Sequence, residues 1–356
     1  MQDFIGLKES NTKEKNNFYF LAFLFVVIFI STFFLLVVLS NMIFATNNVS
    51  GQNMTASFLN NLDVTHNQSF INEEIIPVKI ALYKNAFENI NIQAKSAIVI
   101  DTTTGKILYE RNKNFRMPLA SLAKIMTAIL SSEILNDDII INIEQSDLAQ
   151  EGNTSLSAQE KWRFKDLLDF SLITSSNDGV SAIASQAGGV LLNNSMTTST
   201  QTQKPKEIFI EKMNEKARKL GLIQTEFFNV SGLDINLEQS GAYGTAKETA
   251  QLFEYILNTK PNLLQATTNK KAYFFSQNDI EHTAKNTNEF VELFAGLIGS
   301  KTGFTNLAGG NLGVVFDSGI GTPIIIVVLG STIDGRFEDA LKLYNASLIE
   351  VSQNVF

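Results

Sequence analysis

Phe18 to Leu39 is an apolar stretch broken only by Tyr19, Ser31 and Thr32. As a helix rising about 1.5 Å per residue it reaches roughly 33 Å, enough to cross a bilayer core. It is longer than the apolar core of a cleaved leader, about 7–15 residues. The nearest candidate cleavage site, Ile43-Phe44-Ala45, has a bulky residue where a small one is needed. A transmembrane signal-anchor is therefore expected over residues 18–44, behind a tail of residues 1–17. Lys8, Lys13 and Lys15 precede the span, and no Lys or Arg follows before Lys79. The positive-inside rule then puts the tail in the cytoplasm and the rest of the chain outside a single-pass cell-membrane anchor. From Ala45 to about Ser69 the sequence is rich in Asn, Ser and Thr and has no apolar period, as in a solvated tether. Residues 45–90 are read as an extracytoplasmic linker and 91–356 as one folded domain.

Within the domain the pattern alternates. Lys95–Asp101 is a β-branched run that turns at Thr103-Thr104-Gly105 into Lys106–Glu110, as in a hairpin. Pro118 precedes Ser121–Leu135, where Leu122, Ile125, Met126, Ile129 and Leu130 have helical spacing. Helices are also expected at Phe164–Ile173, Asp178–Ala187, Lys206–Leu220 and Thr245–Leu257, with the polar stretch Asn193–Pro205 as a surface loop. The end returns to strands, Gly310–Phe316 and Pro323–Leu329. The second is apolar throughout and so central to its sheet. An amphipathic helix from about Arg336 to Val351 follows. Strands from both ends around a helical middle predict an α+β fold: one sheet built from both termini, with a helical subdomain inserted.

Composition narrows the chemistry. The net charge of −8 argues against a nucleic-acid partner. With no cysteine, a thiol nucleophile, a Cys-based zinc site and an iron–sulfur cluster are excluded. Only His66 and His282 are present, far apart in the sequence, so an H-E-x-x-H zinc site is impossible and a Ser-His-Asp triad would have to use one of these two. No metal or cofactor is expected.

Three short patterns stand in order: Ser121-Leu122-Ala123-Lys124, Ser175-Ser176-Asn177 and Lys301-Thr302-Gly303. The first two types recur elsewhere, at Ser10–Lys13 and at Ser276-Gln277-Asn278, so order and context carry the signal. Residues three apart share a helix face, which brings Lys124 to Ser121. A serine hydroxyl needs a base, and a lysine is one only when neutral. Burial and a neighbouring cation, here Lys301, make it so. Ser175 and Asn177 sit at a junction between two helices, where Asn177 or Ser176 would also serve as an N-cap. Lys301 and Thr302 offer a cation and a hydroxyl to a carboxylate, on a strand edge able to pair with an extended peptide.

Taken together the residues resemble the penicillin-recognising serine enzymes, and more closely the D-alanyl-D-alanine carboxypeptidases among the low-molecular-mass penicillin-binding proteins. The likeness extends to Ser96–Asn112, Pro118–Ala128, Leu167–Asp178, Phe228–Leu233, Leu297–Gly310 and Gly330–Ala340. It implies a β-lactamase/transpeptidase-like fold, a five-stranded antiparallel sheet flanked by helices with an inserted helical subdomain. It further implies Ser121 as acylated nucleophile, Lys124 as general base, and Ser175 and Asn177 as proton relay and amide contact. Lys301, Thr302 and Gly303 would bind the substrate, the N–H groups of Ser121 and Phe304 would form the oxyanion hole, and Arg336 would assist carboxylate recognition. Peptidoglycan stem peptides ending in D-Ala-D-Ala are the implied substrates and β-lactams the implied inhibitors. Many members carry a C-terminal β-rich domain and anchor, whereas this chain stops at Phe356, so the anchor is expected at the N-terminus. Three rivals share the site: a DD-endopeptidase, a class A β-lactamase and a penicillin-binding sensor without turnover. A β-lactamase needs a deacylating Glu in an E-x-x-L-N setting. Glu254–Asn258 has those letters, but on a helix, where Glu254 reads as a solvated residue.

Overall fold

The computed structural model describes residues 85–148, 151–152, 155–194, 204–319 and 321–353. The expected tail and anchor, most of the linker, and residues 195–203 of the polar insertion lie outside them. Among the described residues no helix is long and apolar enough to cross a membrane.

The main sheet joins both ends of the domain. Strands β1 (Ser96–Asp101) and β2 (Ile107–Arg111) come from its start, and β10 (Leu297–Thr305), β11 (Gly309–Asp317) and β12 (Pro323–Ser331) from its end. The order is β10-β11-β12-β1-β2, with every pair antiparallel. The apolar run of β12 is central, as its sequence requires. Ile324, Ile326 and Val328 face one core, and Ile325, Val327 and Leu329 face the other. A strand buried on both faces must be apolar at every position. Each such side chain contributes about 1.5–3 kcal/mol by leaving water.

Two helices cover the faces. In one core the C-terminal helix Gly335–Gln353 lays Phe337, Ala340, Leu343 and Tyr344 against β11 and β12. In the other, helix Ala246–Thr259 contributes Ala250, Phe253 and Ile256, and Thr245 caps its start by accepting from the Glu248 N–H at 3.0 Å. Asp339 ties the C-terminal helix to the sheet. Its carboxylate is fully buried and accepts from the N–H groups of Gln93 and Ala94 and from the Ser331 hydroxyl.

Between β2 and β10 stands the helical subdomain: α1 (Lys124–Ile134), α2 (Phe164–Thr174), α3 (Asn177–Asn194) and α4 (Pro205–Lys219). Helix α1 is buried over eight consecutive residues, Lys124 to Ser131. The middle of the chain is less purely helical than its pattern predicts. Ile140–Asn142 pairs with Lys161–Arg163, Lys271–Phe275 pairs with Glu281–Lys285, and Met117–Pro118, Ala242–Gly244 and Glu226–Phe227 form a third small sheet. Strands of two or three residues are too short to show a period. In Lys271–Phe275 the outward positions carry Tyr273 and Phe275, which hides the alternation with inward Ala272 and Phe274.

Candidate active site

Ser121 lies one turn earlier than an α-helical start would put it. A 3-10 turn, Ala120–Ala123, precedes α1, and Ala120 has φ of +48°. In 3-10 geometry residues three apart eclipse one another. The Lys124 Nζ accordingly stands 2.8 Å from the Ser121 Oγ. Its other partners are the Asn177 Oδ1 at 2.7 Å and the Ser231 carbonyl at 3.0 Å. A neutral amine has two N–H groups and one lone pair. Two acceptors and one hydroxyl fit that inventory when the Ser121 O–H donates to the nitrogen, and fit an ammonium when the nitrogen donates to all three. Lys124 is fully buried, and burial first, then the Lys301 charge, holds its pKa well below the ordinary lysine range.

A second Ser–Lys contact shows what this environment achieves. Lys206 Nζ donates to the Ser181 Oγ at 2.7 Å, but also to the Asp147 Oδ1 at 3.1 Å. Lys206 is thus ion-paired with a carboxylate, and the Ser181 hydroxyl itself bonds to Asp147 at 3.0 Å. Distance alone therefore does not make a base.

Helix α2 ends at Ser175 in the left-handed conformation, φ +60° and ψ +33°. A β-carbon disfavours that region, so the surroundings hold the residue there. Ser176, rather than Asn177, caps α3, its hydroxyl accepting from the Gly179 N–H at 2.9 Å. This leaves the Asn177 side chain to bridge the Lys124 amine and the Glu151 carbonyl, the latter at 2.7 Å.

Lys301-Thr302-Gly303 lies inside β10, rather than at a strand end, and β10 is an edge of the sheet. Lys301 is buried, donates to the Ser175 Oγ at 2.9 Å and to the Thr302 carbonyl at 3.0 Å, and has its pKa lowered to about 7 by burial and then by Arg336. The Thr302 hydroxyl bonds to that of Thr287 at 2.6 Å. A β-carbon on Gly303 would sit 3.0 Å from the Leu119 carbonyl and 3.2 Å from the Ser121 nitrogen. Glycine thus lets β10 close on the backbone of Ser121. Phe304 follows with its ring exposed. Arg336, buried at the start of the C-terminal helix, donates to the Gly303 carbonyl at 2.9 Å. Gly232 presses from the other side with φ of +81°, where a β-carbon would fall 1.8 Å from the Ala120 carbonyl.

All nine residues singled out in the sequence thus belong to one connected neighbourhood. The sequence does not single out Thr287, the Ser231 carbonyl, the Glu151 carbonyl or Asn311, whose amide donates to the carbonyls of Pro118 and Leu119 at 3.0 Å. Two of the four are backbone carbonyls, and the other two, Thr287 and Asn311, are residues of types common throughout the chain. Only Ser231 lay in a recognised block, Phe228–Leu233. Glu254 lies within the Ala246–Thr259 helix with its side chain partly exposed. His282 is enclosed by Trp162 and Phe170, with Nε2 3.0 Å from a Glu160 carboxylate oxygen.

Residues 83–332 match the family model described as D-alanyl-D-alanine carboxypeptidase. D-alanyl-D-alanine carboxypeptidase DacF of Bacillus subtilis is 32% identical over 222 residues, covering 61% of this chain and 52% of that one. A D-alanyl-D-alanine endopeptidase of Pseudomonas aeruginosa is 29% identical over 219 residues, covering 60% of this chain and 64% of its own. The chain thus spans between half and two thirds of the length of these relatives. Among solved structures, penicillin-binding protein D2 of Listeria monocytogenes in its ampicillin-bound form superposes with a TM-score of 0.59 at 28% identity, over 72% of this chain and 98% of that one.

Proposed function

The chain belongs to the D-alanyl-D-alanine carboxypeptidase family, and on that premise we propose that it removes the terminal D-alanine from peptidoglycan stem peptides through an acyl-enzyme on Ser121. The observation that carries this reading is the buried Lys124 amine, 2.8 Å from the Ser121 Oγ and otherwise held only by neutral acceptors.

In this reading the Ser121 Oγ attacks the carbonyl of the penultimate D-alanine and its proton passes to Lys124 Nζ. The N–H groups of Ser121 and Phe304 receive the oxyanion, at the point where Gly303 lets the two segments meet. The amide bond then breaks, and the departing nitrogen takes a proton relayed from Lys124 by way of Ser175, while Asn177 holds the substrate amide. Water attacks the resulting ester with Lys124 again as base, which releases the shortened peptide and restores the serine. The substrate's terminal carboxylate meets Thr302 and the Lys301 charge. Arg336 supports them from behind by holding the Gly303 carbonyl. β-Lactams, which present a carboxylate and a reactive carbonyl in comparable places, acylate the same oxygen.

The test is to incubate the full chain in detergent with a pentapeptide stem and, separately, with a cross-linked stem dimer, and to analyse the products. D-alanine release from the pentapeptide is expected. Cleavage of the dimer alone would make the protein an endopeptidase, the activity named for the Pseudomonas aeruginosa relative. Penicillin labelling without release of any product would make it a sensor.

The same proposal includes a single-pass anchor over residues 18–44 with the domain outside the cytoplasmic membrane, supported by the apolar run and the lysine asymmetry. Protease added to spheroplasts is expected to digest the domain. Protection of the whole chain would overturn that topology.

A further inference from the structure

Between Phe227 and Ala242 the chain forms a loop with two attachments to the site. Asn229 shapes the first part. Its Oδ1 accepts from the N–H groups of Ser231 and Gly232 at 3.2 and 2.7 Å, and its Nδ2 donates to the Leu233 carbonyl at 2.8 Å. The turn formed in this way aims the Ser231 carbonyl at Lys124, 3.0 Å away. Asp234, the next residue along, reaches to the opposite wall. Its Oδ1 accepts from the Thr305 hydroxyl at 3.0 Å and its Oδ2 from the Leu307 N–H at 3.2 Å. Thr305 is the last residue of β10, directly after Phe304, and its hydroxyl in turn accepts from the Ala308 N–H at 3.2 Å. One carboxylate therefore pins the turn that ends the substrate strand.

Beyond Asp234 the loop's hydrogen bonds close on itself and on Tyr243: the Ile235 and Asn236 N–H groups donate to the Gln239 carbonyl, and the Ser240 N–H to the Tyr243 hydroxyl. Ile235 is 49% and Leu237 88% exposed, so apolar burial does not anchor this segment. Hydrogen bonds to a carboxylate are roughly twice as strong as neutral ones, and both of these run from the loop to β10 and its turn.

We propose that Asp234 is a positioning residue for acylation: its carboxylate locks the Ser231 loop to the Thr305–Leu307 turn and so fixes the gap between the Lys124 amine and the Phe304 N–H. Those two groups must act on one carbonyl at once, one taking the proton and the other receiving the oxyanion. Misplacement by about 1 Å costs on the order of 10²-fold in rate. The inference rests on the reading of Ser121 as nucleophile given above.

The experiment uses the full chain in detergent and a fluorescent penicillin. The dissociation constant of the initial complex and the first-order acylation constant are measured separately. Asp234→Ala is expected to lower the acylation constant by about 10–100-fold, with the dissociation constant within about threefold of wild type. Thr305→Ala should lose roughly 3–10-fold and Thr305→Ser should restore the wild-type rate, since one of two bonds is removed and then returned. Asp317→Ala serves as the control for lost stability, because that carboxylate accepts three backbone N–H groups at the far end of β11. It should acylate like wild type. Acylation by Asp234→Ala within about twofold of wild type, or an equal loss in Asp317→Ala, would overturn the proposal. Should Asp234→Ala fail to fold, the Thr305 pair decides, and a Thr305→Ala protein as fast as wild type overturns it. A wild-type chain that takes no label removes the functional reading itself, an outcome distinct from all of these.

Discussion

Ser121→Ala is expected to abolish labelling by a fluorescent penicillin and to lower D-alanine release by about 10³-fold or more. The lost oxygen is the one 2.8 Å from the Lys124 amine. Lys124→Ala should do nearly as much damage, and the double variant no more than either, because nucleophile and base act as one unit. The fold should tolerate the serine change, since Ser121 is only half-buried and its side chain fills little of the core. Labelling that survives Ser121→Ala would move the nucleophile elsewhere. Ser181 is the instructive alternative, with an amine at 2.7 Å, and it is not expected to react. Its lysine is ion-paired with a carboxylate at 3.1 Å, whereas Lys124 has only neutral acceptors and a second cation near it. The comparison places the source of reactivity in the company a Ser–Lys pair keeps, more than in its spacing.

That distinction also explains how far the sequence could be read. The unbroken apolar run of β12 and the helical spacing after Pro118 are enough to place a central strand and the helix carrying Lys124, because burial on both faces demands an apolar side chain at every position and burial on one helix face imposes a period. The three motifs were legible because their side chains carry the chemistry. Ser176 and Asn177 were equal candidates for the α3 cap. The structure divides the tasks, with Ser176 capping and Asn177 turned to Lys124. What escaped notice was mostly backbone. The carbonyls of Ser231 and Glu151 could be supplied by any residue, so no letter announces them. The 3-10 turn at Ala120–Ala123 has the same apolar pattern as a first α-helical turn, and the close approach of Gly232 and Gly303 to its backbone leaves no mark on that stretch of sequence. Thr287 and Asp234 have ordinary side chains that matter through a partner brought near by the fold, Thr302 in one case and Thr305 in the other.

Lys301→Ala should lower acylation by about 10²–10³-fold with any substrate, and Thr302→Ala by roughly 10–100-fold only where the substrate ends in a free carboxylate. A charge-assisted hydrogen bond contributes about 1.5–3 kcal/mol, and an amidated terminus never forms the one that Thr302→Ala removes. The Thr287 hydroxyl, 2.6 Å from that of Thr302, can donate to it and leave the Thr302 O–H free to point at the carboxylate. Lys301 has a second duty. Its charge is the smaller of the two causes that lower the Lys124 pKa, burial being the larger. Removing it should therefore move the acid limb of the rate profile upward, though burial still holds Lys124 below the ordinary lysine range. The alkaline limb carries the sharper test. Burial and Arg336 bring the Lys301 pKa to about 7, so in the free protein its charge is lost as pH rises through that value. Hence kcat/KM, which reports the free enzyme, should fall above about 7. A bound carboxylate favours the ammonium, so the corresponding fall in kcat should lie at higher pH. In Lys301→Ala the residual activity should lose that alkaline limb, while Thr302→Ala should retain it. Equal losses for Thr302→Ala on acid and amide substrates would assign Thr302 to the strand or the oxyanion instead. A limb near 7 that persists in Lys301→Ala would assign the titration to another group.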